Sequence, residues 1–403
     1  MSSVLTAPTR QPASGTRLLT PRAAFALQLS VVVSLLAGSI APTPLYARYQ
    51  AEWGFGTETV TVVFGVYALA VLGALLVVGR LSDHVGRRPV LLAALAIQLV
   101  VMALFVVAGS VEVLLGARVL QGLSTGAALA AVGAGLLDLD RVRGASANAV
   151  AAPLGTATGA LGAGLLVAFA PDPTHLVFLL LSVVFVVQLA GLSRMGETVT
   201  PTEGARASLR PRLATPPAVR RPLLAAIPAL VAAWSLAGFY GSLGPALVAR
   251  LVGDASVVLG ALAMVSLAGV GALSVRLERN TVPSLAMRRG TALLVAGVGV
   301  TVVAVALGSA PVFFLGTAIA GAGFGGALSG AMRSVTGLAA PHERAGVVSV
   351  LFIASYLAMG VPAIVAGVVV AHTGDLIGTS RGLGLAAMAL AALAFVAETR
   401  RTA

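Results

Sequence analysis

At 403 residues, with 58% hydrophobic, 10% charged and a mean hydropathy of +1.00, the chain carries more apolar surface than a water-soluble fold could hide. All 26 of its cationic side chains are arginine, its formal net charge is +12, and it has no cysteine. The last point excludes disulfides and thiolate metal sites and leaves the redox compartment open.

A bilayer core about 30 Å thick needs about 20 apolar residues per helix. Twelve runs meet that need, at 23–45, 57–80, 88–109, 112–137, 145–170, 174–194, 222–248, 255–277, 289–308, 311–335, 345–371 and 380–398. They are long and continuously apolar, without the two-residue alternation of membrane strands, so they predict helices. The fold class read from the sequence is an all-α membrane protein of twelve transmembrane helices.

Residues 1–22 form a polar tail with Arg10, Arg17 and Arg22 that runs straight into the first apolar run. That run is too long for a signal-peptide core and reads as an uncleaved helix. It carries Gln28, Ser34, Thr43 and Tyr46, and its last residues, Pro42-Thr43-Pro44-Leu45-Tyr46, predict a stiff, kinked helix end. The second run has Glu58 near its start and leads into Gly79-Arg80-Leu81-Ser82-Asp83-His84-Val85-Gly86-Arg87-Arg88-Pro89, a short charged loop between two apolar segments. Gly79 and Gly86 allow a turn and close backbone approach, Asp83 offers an anion to a helix N-terminus, and the arginines suit the headgroup level. An ordinary membrane hairpin needs arginines, but neither the Asp nor glycines at that spacing.

The fourth run opens with Glu112 and contains Arg118-Val119-Leu120-Gln121-Gly122, with Ser124 beyond. A guanidinium inside an apolar helix costs about several kcal/mol unless it is paired or faces water, so Arg118 should have a job. The fifth run contains Gly155-Thr156-Ala157-Thr158-Gly159-Ala160-Leu161-Gly162-Ala163-Gly164; small residues four apart, such as Gly155 and Gly159, favour close helix packing, and Gly164 extends the series. Residues 195–221 are proline-rich and charged, with Glu197, Glu203, Arg206, Arg210, Arg212, Arg220 and Arg221, and read as a solvated linker dividing six helices from six.

In the second half, Trp234, Ser235 and Tyr240 lie in the seventh run, Thr317 and Arg333 in the tenth, and Ser355 and Tyr356 in the eleventh; residues 399–403 form a short tail. Two echoes link the halves: Gly79-Arg80-Leu81-Ser82 with Gly271-Ala272-Leu273-Ser274, where Val275 stands in the place of Asp83, and Leu115-Gly116…Gly126 with Leu315-Gly316…Gly326. They predict two pseudo-symmetric six-helix bundles, at 23–194 and 222–398. With the amino terminus in the cytoplasm, every arginine except Arg48, Arg118, Arg250 and Arg381 falls in a tail or an inner loop. Topology and anionic lipid then account for the net charge, and a nucleic-acid partner is not needed.

The loop at 79–89 resembles the signature between the second and third helices of the major facilitator superfamily, roughly Gly-x-Leu-x-Asp-x-x-Gly-Arg-Arg/Lys, carried here by Gly79, Leu81, Asp83, Gly86, Arg87 and Arg88. Arg118, Gln121 and Gly122 are similar to its fourth-helix Arg-x-x-Gln-Gly motif, which in proton-coupled members is associated with proton transfer. The fifth run resembles the antiporter motif without its proline, and the Pro-x-Pro segment is similar to that of twelve-helix drug/proton antiporters. The resemblance implies a secondary transporter rather than an enzyme, working by alternating access. It implies proton-coupled efflux of small amphipathic or neutral compounds, with Arg118, Gln121, Gly122, Glu58 and Glu112 as proton-coupling candidates. Asp83 would cap the eleventh helix near Arg344–Gly346 and hold the cytoplasmic side shut.

One departure bears on substrate: residues 23–45 contain no acidic side chain, whereas pumps for cationic drugs commonly place one in the first helix. A neutral, amphipathic or anionic substrate fits better. Gln28, Ser34, Thr43, Tyr46, Ser124, Trp234, Ser235, Tyr240, Ser355 and Tyr356 are the cavity candidates, although any one of them could instead bond helix to helix. His84, His175, His342 and His372 are scattered without metal-ligand spacing, so neither a metal nor another cofactor is expected. The expected setting is a cell membrane, as a monomer with both termini cytoplasmic. An uptake symporter of the same superfamily and a non-transporting receptor remain as alternatives.

Overall fold

A computed structural model describes residues 19–211, 213–253, 256–340 and 343–402. Most of the amino-terminal tail, with Arg10 and Arg17, and also Arg212 and His342, lie outside the described residues. The described chain is helical throughout, with no strand, and twelve helices are long and apolar enough to cross a membrane.

These twelve are α1 (Pro21–Ile40), α2 (Thr57–Val77), α3 (Arg87–Val106), α4 (Val111–Leu139), α5 (Arg141–Phe169), α6 (Pro173–Leu192), α7 (Pro217–Ser242), α8 (Val257–Leu277), α9 (Pro283–Leu307), α10 (Ala310–Thr336), α11 (Arg344–Thr373) and α12 (Leu376–Thr402). Their starts follow local chemistry. Pro21, Pro173, Pro217 and Pro283 occupy first-turn positions that need no N–H. Asp140 caps α5 by accepting from the N–H groups of Val142 (3.1 Å) and Arg143 (2.9 Å).

Several helices outrun the apolar stretches that announced them. α9 begins six residues before its apolar run, so that Arg288 belongs to the helix as well as Arg289. Hydropathy marks the lipid-facing part, whereas a helix continues into polar ends whose long side chains reach the interface. The first run does the reverse. α1 stops at Ile40, the chain makes a 3-10 turn over Thr43–Leu45, and a short helix, Tyr46–Trp53, closes on Gly54 at φ +69°. Pro42 and Pro44 explain the break, because each lacks an N–H for an α-helical ladder.

Twelve alternating helices put both described ends of the chain on one side, here the termini face, opposite a far face. α1 to α6 pack among themselves, through α2–α4, α3–α4, α1–α5 and α3–α6; α7 to α12 do likewise, through α9–α10, α9–α12, α8–α10, α7–α11 and α7–α12. Two pairs, α2–α11 and α5–α8, carry most of the contact between the groups.

The close small-residue contacts in these seams run from the far face to mid-depth. On α2–α11, Thr61 meets Gly367, Gly65 meets Ile364, and Ala68 lies against Gly360. On α5–α8, a Cβ built on Gly164 would stand 2.6 Å from the Ala261 methyl, and Ala157 approaches Gly269. Phe64 packs on Gly241 of α7, and Thr43 donates to the Gly241 carbonyl at 3.0 Å. Small residues let these backbones approach, the usual means of joining helices where lipid removes any hydrophobic drive.

The glycine echo between the halves does not carry over position by position. Gly126 abuts Val71 on α2, whereas Gly326 faces Gly290 on α9; Gly116 faces open space, while Gly316 packs on Thr301. It is Gly321 and Gly325 that meet α8, at Leu267 and Gly271.

Candidate functional site

The loop after α2 folds as a short helix, Leu81–Val85, with Gly86 at φ +104° leading into α3. Only glycine adopts that backbone without strain, and a Cβ there would also run into the Glu197 carboxylate, 2.5 Å away. Leu81 anchors the loop in the apolar core of the first six helices. Arg87, whose side chain is 7% exposed, ion-pairs with Asp83, donates to Ser82 Oγ (2.7 Å) and reaches Asp138 at the end of α4 (3.2 Å). Arg88 donates to the Ser193 carbonyl at 2.5 Å.

Asp83 is therefore turned to its own loop and not to α11. The first turn of α11 is covered by the linker instead, with Ala214 and Leu213 against Gly346. The expected Asp83 cap is not made in this arrangement, where the two groups of helices meet at the far face.

The linker also departs from the solvated tether read from its composition, at least over its first residues. Glu197 accepts from the backbone N–H groups of Arg87 (2.8 Å) and Arg88 (3.0 Å), placing a carboxylate on the positive end of α3. Thr198 donates to Asp138 (3.0 Å), His84 contacts Thr202 and the Glu203 carbonyl, and a short helix, Ala205–Ser208, packs on Leu81–Val85. Proline and charge excluded a packed core of the linker's own; they did not exclude docking on a loop rich in opposite charge and free N–H groups.

Arg118 is fully buried in the far-face half of α4. Its guanidinium donates to the Ser39 carbonyl (2.7 Å), Gln121 Oε1 (2.7 Å) and the Tyr46 hydroxyl (2.8 Å), and lies 4.9 Å from the centroid of the Tyr67 ring. Gln121 in turn donates to the Gly38 carbonyl (3.0 Å), and Gly122 lets α4 close on the Tyr67 carbonyl, which a Cβ would approach to 2.6 Å. None of these partners is a carboxylate. Neutral acceptors and an aromatic face hold the cation, each hydrogen bond to it contributing about 1.5–3 kcal/mol.

Glu58 and Glu112 do not join this cluster. Both sit in first turns, of α2 and α4, where helix dipoles favour acids; Glu58 folds back beside Gly56 and Glu112 is exposed. The Gly155 and Gly159 positions pack α5 onto Val33 and Ala37 of α1, while Gly164 packs it across the seam.

The cavity candidates fall into three places. Ser34 donates to Gln188 Oε1 (2.9 Å) and so joins α1 to α6, while Gln28 donates to Met195 Sδ (3.4 Å) just beyond the end of α6. Ser124 bonds the Gln121 carbonyl in its own helix, and Ser235 and Ser355 are buried. Thr43, Tyr46 and Tyr240 line a cavity of about 140 Å³ at the far face, together with Ile40, Ser242 and Met264. Tyr240 also pairs with Thr317 (2.8 Å) and stacks on Phe313.

Trp234 and Tyr356 stack near mid-depth, with ring centroids 5.7 Å apart. Phe324 meets the indole edge-on at 5.8 Å, and Phe352 meets Tyr356 at 6.3 Å. Arg333 is absorbed at the termini side, its guanidinium held by the Glu278, Arg279 and Thr281 carbonyls. Tyr67, Ser39, Asp138, Phe324 and Phe352 were missed from sequence, and Glu197 was read there only as a linker charge. A tyrosine inside an apolar run was a signal equal to the one that marked Tyr356, whereas a phenylalanine in such a run carries none.

The Major Facilitator Superfamily matches residues 27–361. Multidrug resistance protein D of Escherichia coli (strain K12) is 33% identical over 103 residues, which span 25% of this chain and 26% of that protein. Twelve helices joined through α2–α11 and α5–α8, the Gly79–Arg88 loop held by Arg87, and a family match over most of the length lead to one conclusion: the chain belongs to the Major Facilitator Superfamily.

Proposed function

We propose that the protein is a secondary active transporter in a cell membrane that works by alternating access and exports small amphipathic or neutral compounds in exchange for protons. The observation that carries this reading is the seam itself. α2–α11 and α5–α8 meet through small residues at Thr61–Gly367, Gly65–Ile364 and Gly164–Ala261, contacts that part without breaking a hydrogen-bond ladder. Arginine placement supports a cytoplasmic termini face, and on that reading the far-face closure corresponds to an inward-facing state. In the opposite state Asp83 would leave Arg87 for the first turn of α11, and Leu213 and Ala214 would have to leave Gly346 first.

Similarity to a protein named for multidrug resistance supports export. Arg118 supports ion coupling, because a buried cation held only by neutral acceptors responds strongly to any change in its surroundings. The test is flux in liposomes containing purified protein and an internal pH dye, with the amphipathic anion taurocholate and the neutral antibiotic chloramphenicol as probes. Compound-driven proton movement that is lost in Asp83→Asn is expected. Proton movement unchanged by that substitution removes the gate, and compound flux without proton movement removes the coupling.

A further inference from the structure

We propose that Trp234, Phe324, Phe352 and Tyr356 form a substrate subsite for a planar aromatic ring that carries no positive charge. The proposal rests on the transporter reading and narrows its substrate class.

Depth comes first. Phe324 stands at the middle of α10 and Tyr67 at the middle of α2, and both belong to the same buried apolar cluster as Tyr356, with Trp234 and Phe352 packed against it. The cluster thus sits where the two groups of helices face each other near the bilayer midplane, the depth at which a site can be reached from either side. α7 is packed by α10, α11 and α12, and the stripe left only partly covered runs through Leu224, Ile227, Val231 and Trp234. Trp234 and Phe352 are partly exposed at the end of this stripe, whereas Tyr356 and Phe324 behind them are buried.

Chemistry fixes the class. Three helices supply rings in both stacked and edge-on orientation, which leaves an incoming flat ring a face to lie on and an edge to meet. The indole N–H of Trp234 is buried and makes no hydrogen bond, so a ligand oxygen would satisfy a donor that the fold leaves unused. α7, α10 and α11 contain no Asp or Glu, and the one acid of α2, Glu58, is in its first turn. Among the described residues the fixed charge buried in the far-face half is Arg118, a cation without a carboxylate partner. A cationic ligand would face that charge unpaired, and attraction to ring faces recovers only a minor part of the cost of dehydrating an ammonium group.

The chain has two tryptophans, so Trp53→Phe leaves Trp234 as the sole indole fluorophore of an otherwise intact protein. The matched quenchers are 4-nitrobenzyl alcohol, 4-nitrobenzoate and 4-nitrobenzylammonium, with free N-acetyltryptophanamide correcting for absorbance. Saturable quenching is expected from the alcohol or the benzoate, with an apparent affinity about tenfold or more above that of the ammonium compound. Tyr356→Leu should weaken it roughly two- to thirteenfold by removing one ring pair, while Tyr356→Phe should keep it. Unsaturable quenching, equal affinity for all three probes, or an affinity indifferent to Tyr356→Leu overturns the subsite. Compound flux without saturable quenching sinks the subsite and leaves the transporter; saturable quenching without flux of any compound sinks the transporter and leaves a binding site.

Discussion

Gly164→Leu is the sharpest probe of the far-face seam. Gly164 belongs to α5, and a Cβ there would stand 2.6 Å from the methyl of Ala261 on α8. That methyl is fixed to its backbone and cannot rotate away, so a leucine must push the two helices apart. Overpacking of this kind costs about 1–3 kcal/mol, which at RT of about 0.59 kcal/mol lowers the closed-to-open ratio of the far face by about 5- to 150-fold. Because the chain lacks cysteine, spin labels can be placed at Thr57→Cys and Thr373→Cys, the far-face ends of α2 and α11, without background. These sites are on the other seam, so a longer label distance would report movement of the two groups of helices as units. Gly162→Leu is the matched control, two residues away on the same helix and facing open space. The distance distribution should shift to longer values in Gly164→Leu alone. Identical distributions in the two variants would refute the claim that small-residue contacts hold the far face shut.

Two further outcomes follow from single side chains. Tyr46→Phe leaves one guanidinium nitrogen of the fully buried Arg118 without its 2.8 Å acceptor, and should lower stability by about 1.5–3 kcal/mol in detergent unfolding. Tyr49→Phe, one turn on, should not, and equal losses would show that the hydroxyl of Tyr46 is not what holds Arg118. Glu197→Gln replaces the carboxylate that accepts from the first two N–H groups of α3, and should raise hydrogen exchange at Arg87 and Arg88 about tenfold for about 1.4 kcal/mol lost; exchange as slow as in the unchanged protein would show that the linker does not cap this helix.

The fold and the site were legible to different degrees. Composition, run length and loop charge determine by themselves that the chain is a twelve-helix membrane protein, because lipid permits few ways to satisfy a backbone and each leaves a one-dimensional trace. The loop at 79–89 was equally plain, since Asp83, Gly86 and Arg87 interact within a few residues of one another. Arg118 announced itself by the cost of its burial, but its partners Ser39, at the end of α1, and Tyr46, at the start of the short helix after it, lie 70 to 80 positions earlier, and no local pattern points there. Only the tertiary structure decided that Glu197 caps α3, that Ser34 ties α1 to α6, and that Phe324 and Phe352 gather around Trp234 and Tyr356. The physical reason is common to all of these. In a chain where nearly every residue of a helix is apolar, hydropathy separates lipid from water but not lipid from a neighbouring helix, so which face meets which partner is fixed by packing alone.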